Sequence, residues 1–183
     1  DKIMADFDFI ATHMQQNLDL AKDWCASNVE EWSHFRSFSL ISNIDSTGTT
    51  LEIALKVMES VFLPSDSFEV EEYLHGPHLL SRKEAAVLQL DSVSMDHEKL
   101  SRIHSFLQEK NAPSYQITQA GMPGFTRDSL TIYSAQNGLL DFAEFLPVLQ
   151  VWSIRLWEYF DRHGLDAFEM PGDLSGALST KVK

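Results

Sequence analysis

The segment FSLISNIDSTGTTLEIALKVMESVF, residues 38–62, reads as a strand, a loop and a helix in succession. Phe38-Ser39-Leu40-Ile41 is a short apolar run of strand type, 43–50 is a polar turn with one glycine, and from Leu51 the apolar spacing becomes helical. Leu51, Ala54, Leu55, Met58 and Phe62 recur at i, i+3, i+4, i+7 and i+11, which predicts one apolar stripe for packing. Glu52, Lys56 and Glu59 recur at i, i+4 and i+7, a second stripe beside the first that could look into a cleft.

The same unit recurs along the chain. Strands are expected at Ala85 to Leu90, Ser114 to Gln119 and Leu130 to Tyr133, with helices at His97 to Glu109 and Asp141 to about His163. Such alternation predicts an α/β fold, a parallel sheet covered by helices. Upstream, 4–34 reads as a helical arm with Phe7, Ile10, Met14, Leu18 and Ala21 on one face and a break near Ala26-Ser27-Asn28. A body of 35–170 and a polar, extended tail of 171–183 follow. In the long helix Asp141 and Glu144 suit the N-cap and N3 positions, Gly164 suits C′, and Pro147 predicts a kink. The aromatic series Phe142, Phe145, Trp152, Tyr159 and Phe160 is expected in core or interface.

At 183 residues, with 44% apolar and 22% charged content, the chain suits one domain with a sizeable core. A formal charge of −13 and the absence of any basic run exclude an ordinary nucleic-acid binder. No apolar run approaches the ~18 residues of a membrane span. The lone Cys25 excludes an intrachain disulfide framework, and a cytoplasmic setting is expected. His78, His97 and His104 lack metal-ligand spacing and read as surface or capping groups, and no cofactor is expected. Opening at Asp1 in helical sequence, the chain is expected to be a segment of a longer polypeptide.

Two constellations could carry chemistry. The loop from Asn43 to Thr50 leads from a strand into a helix, where Ser46, Thr47 and Thr49 hydroxyls, Gly48 and helix N–H groups suit a phosphate; an ordinary N-cap with a turn glycine fits the same residues. Glu59 is followed sixteen positions later (75 − 59) by His75 in Tyr-Leu-His-Gly-Pro, where Gly76-Pro77 ends a short helix over 69–74 and fixes the direction of the imidazole. A carboxylate and an imidazole exchange protons readily near neutral pH, yet a surface helix with a capping histidine gives the same spacing. Lys56 reads equally as an ion-paired helix residue.

Ala54-Leu55-Lys56-x-x-Glu59 with His75-Gly76-Pro77 at that offset, Leu149-Gln150 behind the helix proline and Gly164-Leu165-Asp166 together resemble the second half of the sugar isomerase (SIS) domain pair. That pair occurs in the isomerase region of glucosamine-6-phosphate synthase and in fructosamine-6-phosphate deglycases, and the likeness runs nearly the whole length. It implies a flavodoxin-like three-layer α/β/α sandwich with a parallel sheet. It also implies a phosphorylated amino sugar or ketosamine as ligand and a homodimer with a shared active site. By the same resemblance Glu59 is the base moving a proton between the first two sugar carbons, Lys56 a neighbouring positive group, and His75 an acid/base for ring opening or the leaving amine. The first SIS half, whose Ser/Thr-rich loop carries most of the phosphate contacts, is absent. A glycine, Gly176, stands near the position of the synthases' Schiff-base lysine, with Lys181 in reach only by a register shift. This favours a deglycase-like reaction over the synthase one; a phosphosugar-sensing module and a simple aldose/ketose isomerase are the rival expectations.

Overall fold

A computed structural model describes residues 2–122, 124 and 129–165. Five strands, β1 (Ser37–Ser42), β2 (Ser65–Glu69), β3 (Ala85–Asp91), β4 (Ser114–Gln119) and β5 (Ser129–Ile132), form one sheet in the order β2-β1-β3-β4-β5. Every pairing is parallel. Because side chains alternate along a strand, each strand feeds two cores. Phe38, Leu40, Ala86, Leu88, Tyr115, Ile117 and Ile132 pack beneath α1 (Lys2–Trp32), α2 (Thr47–Ser60) and α5 (Asp141–His163). Ile41 and Val87 face the opposite way, under α3 (Val70–Leu74) and α4 (His97–Glu109). The result is a three-layer α/β/α sandwich of flavodoxin-like type. Its larger core is aromatic at the centre, where Trp152 meets Phe38 and Trp32 edge-on at ring distances of 5.2 and 6.1 Å.

Four features differ from the sequence reading. Strand β2 was absent from it, because Ser-Asp-Ser-Phe-Glu lacks β-branched and alternating apolar residues; as an edge strand pairing only with β1 it needs only half an apolar face. The expected break at 26–28 does not occur. Ser27 Oγ and Asn28 Nδ2 donate to the carbonyls of Asp23 and Trp24 at 3.0 and 2.8 Å, so both side chains bond back along a continuous α1 instead of capping a new helix. In α5 the cap position is Leu140, and Asp141 and Glu144 are buried inside the first turn.

The fourth difference concerns α2. Its buried face is Ile53, Ala54, Val57 and Val61, whereas Leu51, Leu55, Met58 and Phe62 of the expected packing stripe are exposed at 52, 43, 39 and 38%. The helix carries two neighbouring apolar faces, and the body of the domain covers only one. The charged stripe Glu52, Lys56 and Glu59 flanks the uncovered one. Gly164 ends α5 at φ 61, as the C′ reading expects, and α5 runs through Pro147 as one helix. Of the aromatic series, Phe145, Trp152 and Phe160 are buried, Tyr159 is partly buried and Phe142 is exposed.

Candidate functional site

The chain leaves β1 for α2 on one side of the sheet and leaves β3 for α4 on the other, so the loops after these adjacent strands diverge and open a crevice at their carboxyl ends. Asn43 ties the two loops together. Its Oδ1 accepts from Ser46 N at 2.9 Å, closing a one-turn 3-10 helix over Ile44–Ser46, and its Nδ2 donates to Ser94 Oγ at 2.6 Å and Ser92 Oγ at 3.2 Å. Thr47 Oγ1 donates to the Asn43 carbonyl at 2.9 Å, and Thr50 Oγ1 meets Ser67 Oγ at 2.6 Å. Ser46, although at the α2 cap position, makes no cap bond and instead donates to Asp141 Oδ2 at 3.4 Å. Thr49 differs: its hydroxyl has no hydrogen-bond partner among the described residues. Of the three hydroxyl residues expected to bind phosphate, Ser46 and Thr47 are engaged internally, and Thr49, although buried, keeps its hydroxyl unengaged among the described residues.

Behind the crevice lies a polar cluster that sequence reasoning missed. Gln119, at the end of β4, donates through Nε2 to Asp141 Oδ1 at 2.8 Å and to Glu144 Oε2 at 2.7 Å, while its Oε1 accepts from Val93 N at 2.8 Å. Glu144 Oε1 also accepts from Ala135 N at 2.7 Å. Burial pushes both carboxyls above their ordinary range, against the pull of these donors. No sequence signal separates such acids from a capping box, because both use an acid in the first turn of an apolar helix.

Two histidines also depart from the surface reading. His97 Nδ1 lies 2.6 Å from Oδ2 of the fully buried Asp91, which Gln116 Nε2 reaches at 2.8 Å. Burial raises the Asp91 carboxyl, and His97 and Gln116 counter part of that rise. His104 is buried on the inner face of α4, and burial lowers its imidazole.

Lys56 and Glu59 are together on the exposed side of α2. Lys56 Nζ is 2.8 Å from Glu59 Oε2 and 3.7 Å from Glu52 Oε1, and the bond to Glu59 and both carboxylates hold the ammonium above its ordinary value. Glu59 is turned to solvent, beside the uncovered apolar stripe. His75 caps the end of α3 with its Nδ1 2.6 Å from the Glu71 carbonyl, so its ring direction is fixed, and it is exposed. Among the described residues no hydrogen bond or ion pair joins His75 to Glu59 or Lys56. Lys181 lies outside the described residues. Glu59 follows Thr47 by twelve residues (59 − 47), which is about 18 Å along a helix. A hexose 6-phosphate, a zigzag of seven bonds near 1.5 Å from reacting carbon to phosphorus, reaches only about 9 Å. The Glu side chain and a contact at each end add about 10 Å, so the loop and Glu59 of one chain span one such molecule only in its fully extended form. No group of three or more His, Cys, Asp or Glu side chains able to hold a metal occurs among the described residues. None of the described helices is long and apolar enough to cross a membrane.

No family model and no curated protein matches this sequence. Solved structures do match. A protein of Clostridium difficile 630 assigned as a phosphosugar isomerase superposes with a TM-score of 0.77 over 98% of this chain and 49% of its own, at 20% identity. The C-terminal domain of glucosamine-fructose-6-phosphate aminotransferase from Francisella tularensis gives a TM-score of 0.74 over 86% of this chain and 44% of its own, at 15% identity. An Escherichia coli CFT073 protein in complex with A5P gives 0.62 over 86% and 93%, at 16% identity. The chain thus has the fold of the sugar isomerase domain, and it spans about half the length of the first two of these proteins.

Proposed function

We propose that this chain is a phosphosugar-binding SIS domain that supplies one side of an isomerase or deglycase active site. Its substrate is an amino-sugar or fructosamine phosphate, and the step is proton transfer through an enediol or enolamine. The observation that carries this reading is the Lys56–Glu59 pair at 2.8 Å, which flanks the uncovered apolar stripe of α2. A base must be presented to substrate, and an adjacent ammonium favours the developing enediolate. The apolar residues beside it exclude water once a second surface, a homodimer partner or a companion domain, closes over them. In this reading His75, exposed and held by the Glu71 carbonyl, serves a site shared with a neighbour.

Exchange of solvent deuterium into C1 or C2 of fructosamine 6-phosphate, glucosamine 6-phosphate and fructose 6-phosphate, followed by NMR in D2O, tests the reading. Exchange that falls about 100-fold or more in Glu59→Gln supports it. Exchange unchanged in that variant would remove Glu59 from the chemistry. A second reading is favoured by Thr49 and the uncapped start of α2: a non-catalytic module whose crevice binds the phosphate alone. Saturable binding lost in Thr49→Val, with no exchange in any sugar, is its signature.

A further inference from the structure

A cavity of about 490 Å³ lies at the other end of the sheet. It opens over the starts of β2, β1 and β3 on the side away from α2, and the segment 77–82 forms its outer wall. Two arginines, Arg36 and Arg82, line it. The other described arginines all have carboxylate partners: Arg102 pairs with Glu98, and Arg155 and Arg162 with Glu158. Arg36 and Arg82 have no partner for their guanidinium groups among the described residues. In a chain with 27 acidic and 14 basic residues, two unpaired guanidiniums on one cavity are unexpected from composition. Their backbones are fastened to the same short stretch, with Arg36 N donating to the Glu84 carbonyl at 2.8 Å and Ala85 N to the Arg82 carbonyl at 2.9 Å.

The rest of the lining narrows the chemistry. Ser37 and Ser39 present half-buried hydroxyls from β1, and Phe68 and Val87 supply an apolar floor. Asp66 and Glu84 stand on the same rim, so the cavity is electrically balanced rather than basic. A polyanion would meet two carboxylates along with the arginines. A molecule with one anionic head and hydroxyl or ammonium donors at its other end would satisfy both sets. A guanidinium fork matches phosphate and carboxylate oxygens equally. The volume lies within the range of small-molecule pockets.

We propose that this cavity is a second ligand site, separate from the α2 face and from the crevice after β1. It takes a small phosphate- or carboxylate-headed molecule bearing hydroxyl or amine groups, with Arg36 and Arg82 on the head and Asp66 on the donor end. The site does not depend on Glu59 and stands or falls apart from the catalytic reading.

Calorimetric titration of the intact chain with glucosamine 6-phosphate, glucosamine, gluconate and inorganic phosphate tests it. Glucosamine 6-phosphate binds best, and each of Arg36→Gln and Arg82→Gln weakens it about 10-fold or more, as expected for a charged hydrogen bond. Asp66→Asn weakens glucosamine 6-phosphate while leaving inorganic phosphate unchanged. Gluconate binding as tightly as the phosphate ester identifies a carboxylate head, whereas its failure to bind identifies a phosphate head. All three positions are surface-accessible, and an unchanged urea midpoint confirms an intact fold in each variant. Absence of saturable binding by any of the four probes overturns the proposal. So does binding that survives the double arginine variant, or that is lost only in Thr49→Val or Glu59→Gln.

Discussion

Replacing Gln119 by leucine isolates the polar cluster behind the crevice. The residue is fully buried, and leucine nearly matches its volume, so the change removes hydrogen bonds without opening a large cavity. Two bonds to buried carboxylates at 2.8 and 2.7 Å disappear, together with the bond from Val93 N at 2.8 Å. Each bond to a carboxylate is worth about 1.5–3 kcal/mol because the acceptor is charged, the one from Val93 N adds about 1 kcal/mol, and greater apolar burial returns about 1 kcal/mol, which leaves a net cost of at least about 3 kcal/mol. With a urea m-value of about 2 kcal/mol/M the midpoint should fall by about 1.5 M, read from the fluorescence of the core tryptophans. The deficit should also depend on pH. Burial holds Asp141 and Glu144 above their ordinary values of 3.8 and 4.5, so the folded chain binds protons more readily than the unfolded one. Their contribution is fully present below the unfolded values and is lost as pH rises through the folded ones. Gln119 favours the ionised forms, so its loss raises both carboxyls further. The variant should be weakest relative to wild type at pH 7–8, and the gap should narrow towards pH 5. A midpoint shift below about 0.5 M, or a gap that widens on acidification, would refute this account.

Other expectations follow from the same structure. Leu156→Ala, in the core, should cost about 2–5 kcal/mol by urea melt, while Leu55→Ala, on the uncovered stripe, should stay within about 0.5 kcal/mol in the isolated chain. Gly164→Ala meets no neighbouring atom within 4 Å but must adopt φ 61, so a loss of about 1 kcal/mol should appear from backbone strain alone. His97→Leu strips a partner from buried Asp91 and should destabilise by about 2 kcal/mol at pH 7, with less effect in acid, where the raised Asp91 carboxyl takes up its proton; a urea series over pH checks both. Glu59→Gln should leave the urea midpoint unchanged, because its carboxylate is solvent-exposed and pairs only with Lys56 among the described residues.

The parts of the fold legible in the sequence were those with strong periodicity and clear stops. Strands β1, β3 and β4 are dense in buried residues, α4 has the bounds its sequence pattern gives, α5 begins and ends within a residue of its capping signals, and Gly164 occupies its left-handed position. Strand β2 escaped because an edge strand need not alternate. The polar cluster escaped because Gln119 and Glu144 are twenty-five residues apart (144 − 119), and only the parallel pairing of β3 with β4 brings the end of β4 under the first turn of α5. At the site, α2 showed which residues share a stripe, but periodicity cannot tell which of two apolar stripes meets the body. That choice is made where α2 packs on β1, β2 and α5.

The uncovered stripe on α2 bounds what can close over Glu59. Leu51, Leu55, Met58 and Phe62 keep 52, 43, 39 and 38% of their surface in water, so completing their burial gives each about half of the 1.5–3 kcal/mol expected for a whole side chain, or about 4 kcal/mol together. Association of two free molecules costs about 4–15 kcal/mol in lost rigid-body freedom. With a matching apolar surface on the partner the gain is about 8 kcal/mol, which little more than offsets that cost, so the stripe alone gives weak association at most. Either the interface extends to other exposed apolar groups such as Phe142, Ile154 and Trp157 on α5, or the covering surface is tethered and acts at millimolar effective concentration. The two arrangements respond differently to dilution, since Leu55→Asp would abolish a wide intermolecular interface and its concentration dependence together, whereas a tethered surface would lose activity with no change in mass. Sedimentation of the chain across a hundredfold concentration range, with and without Leu55→Asp, separates them.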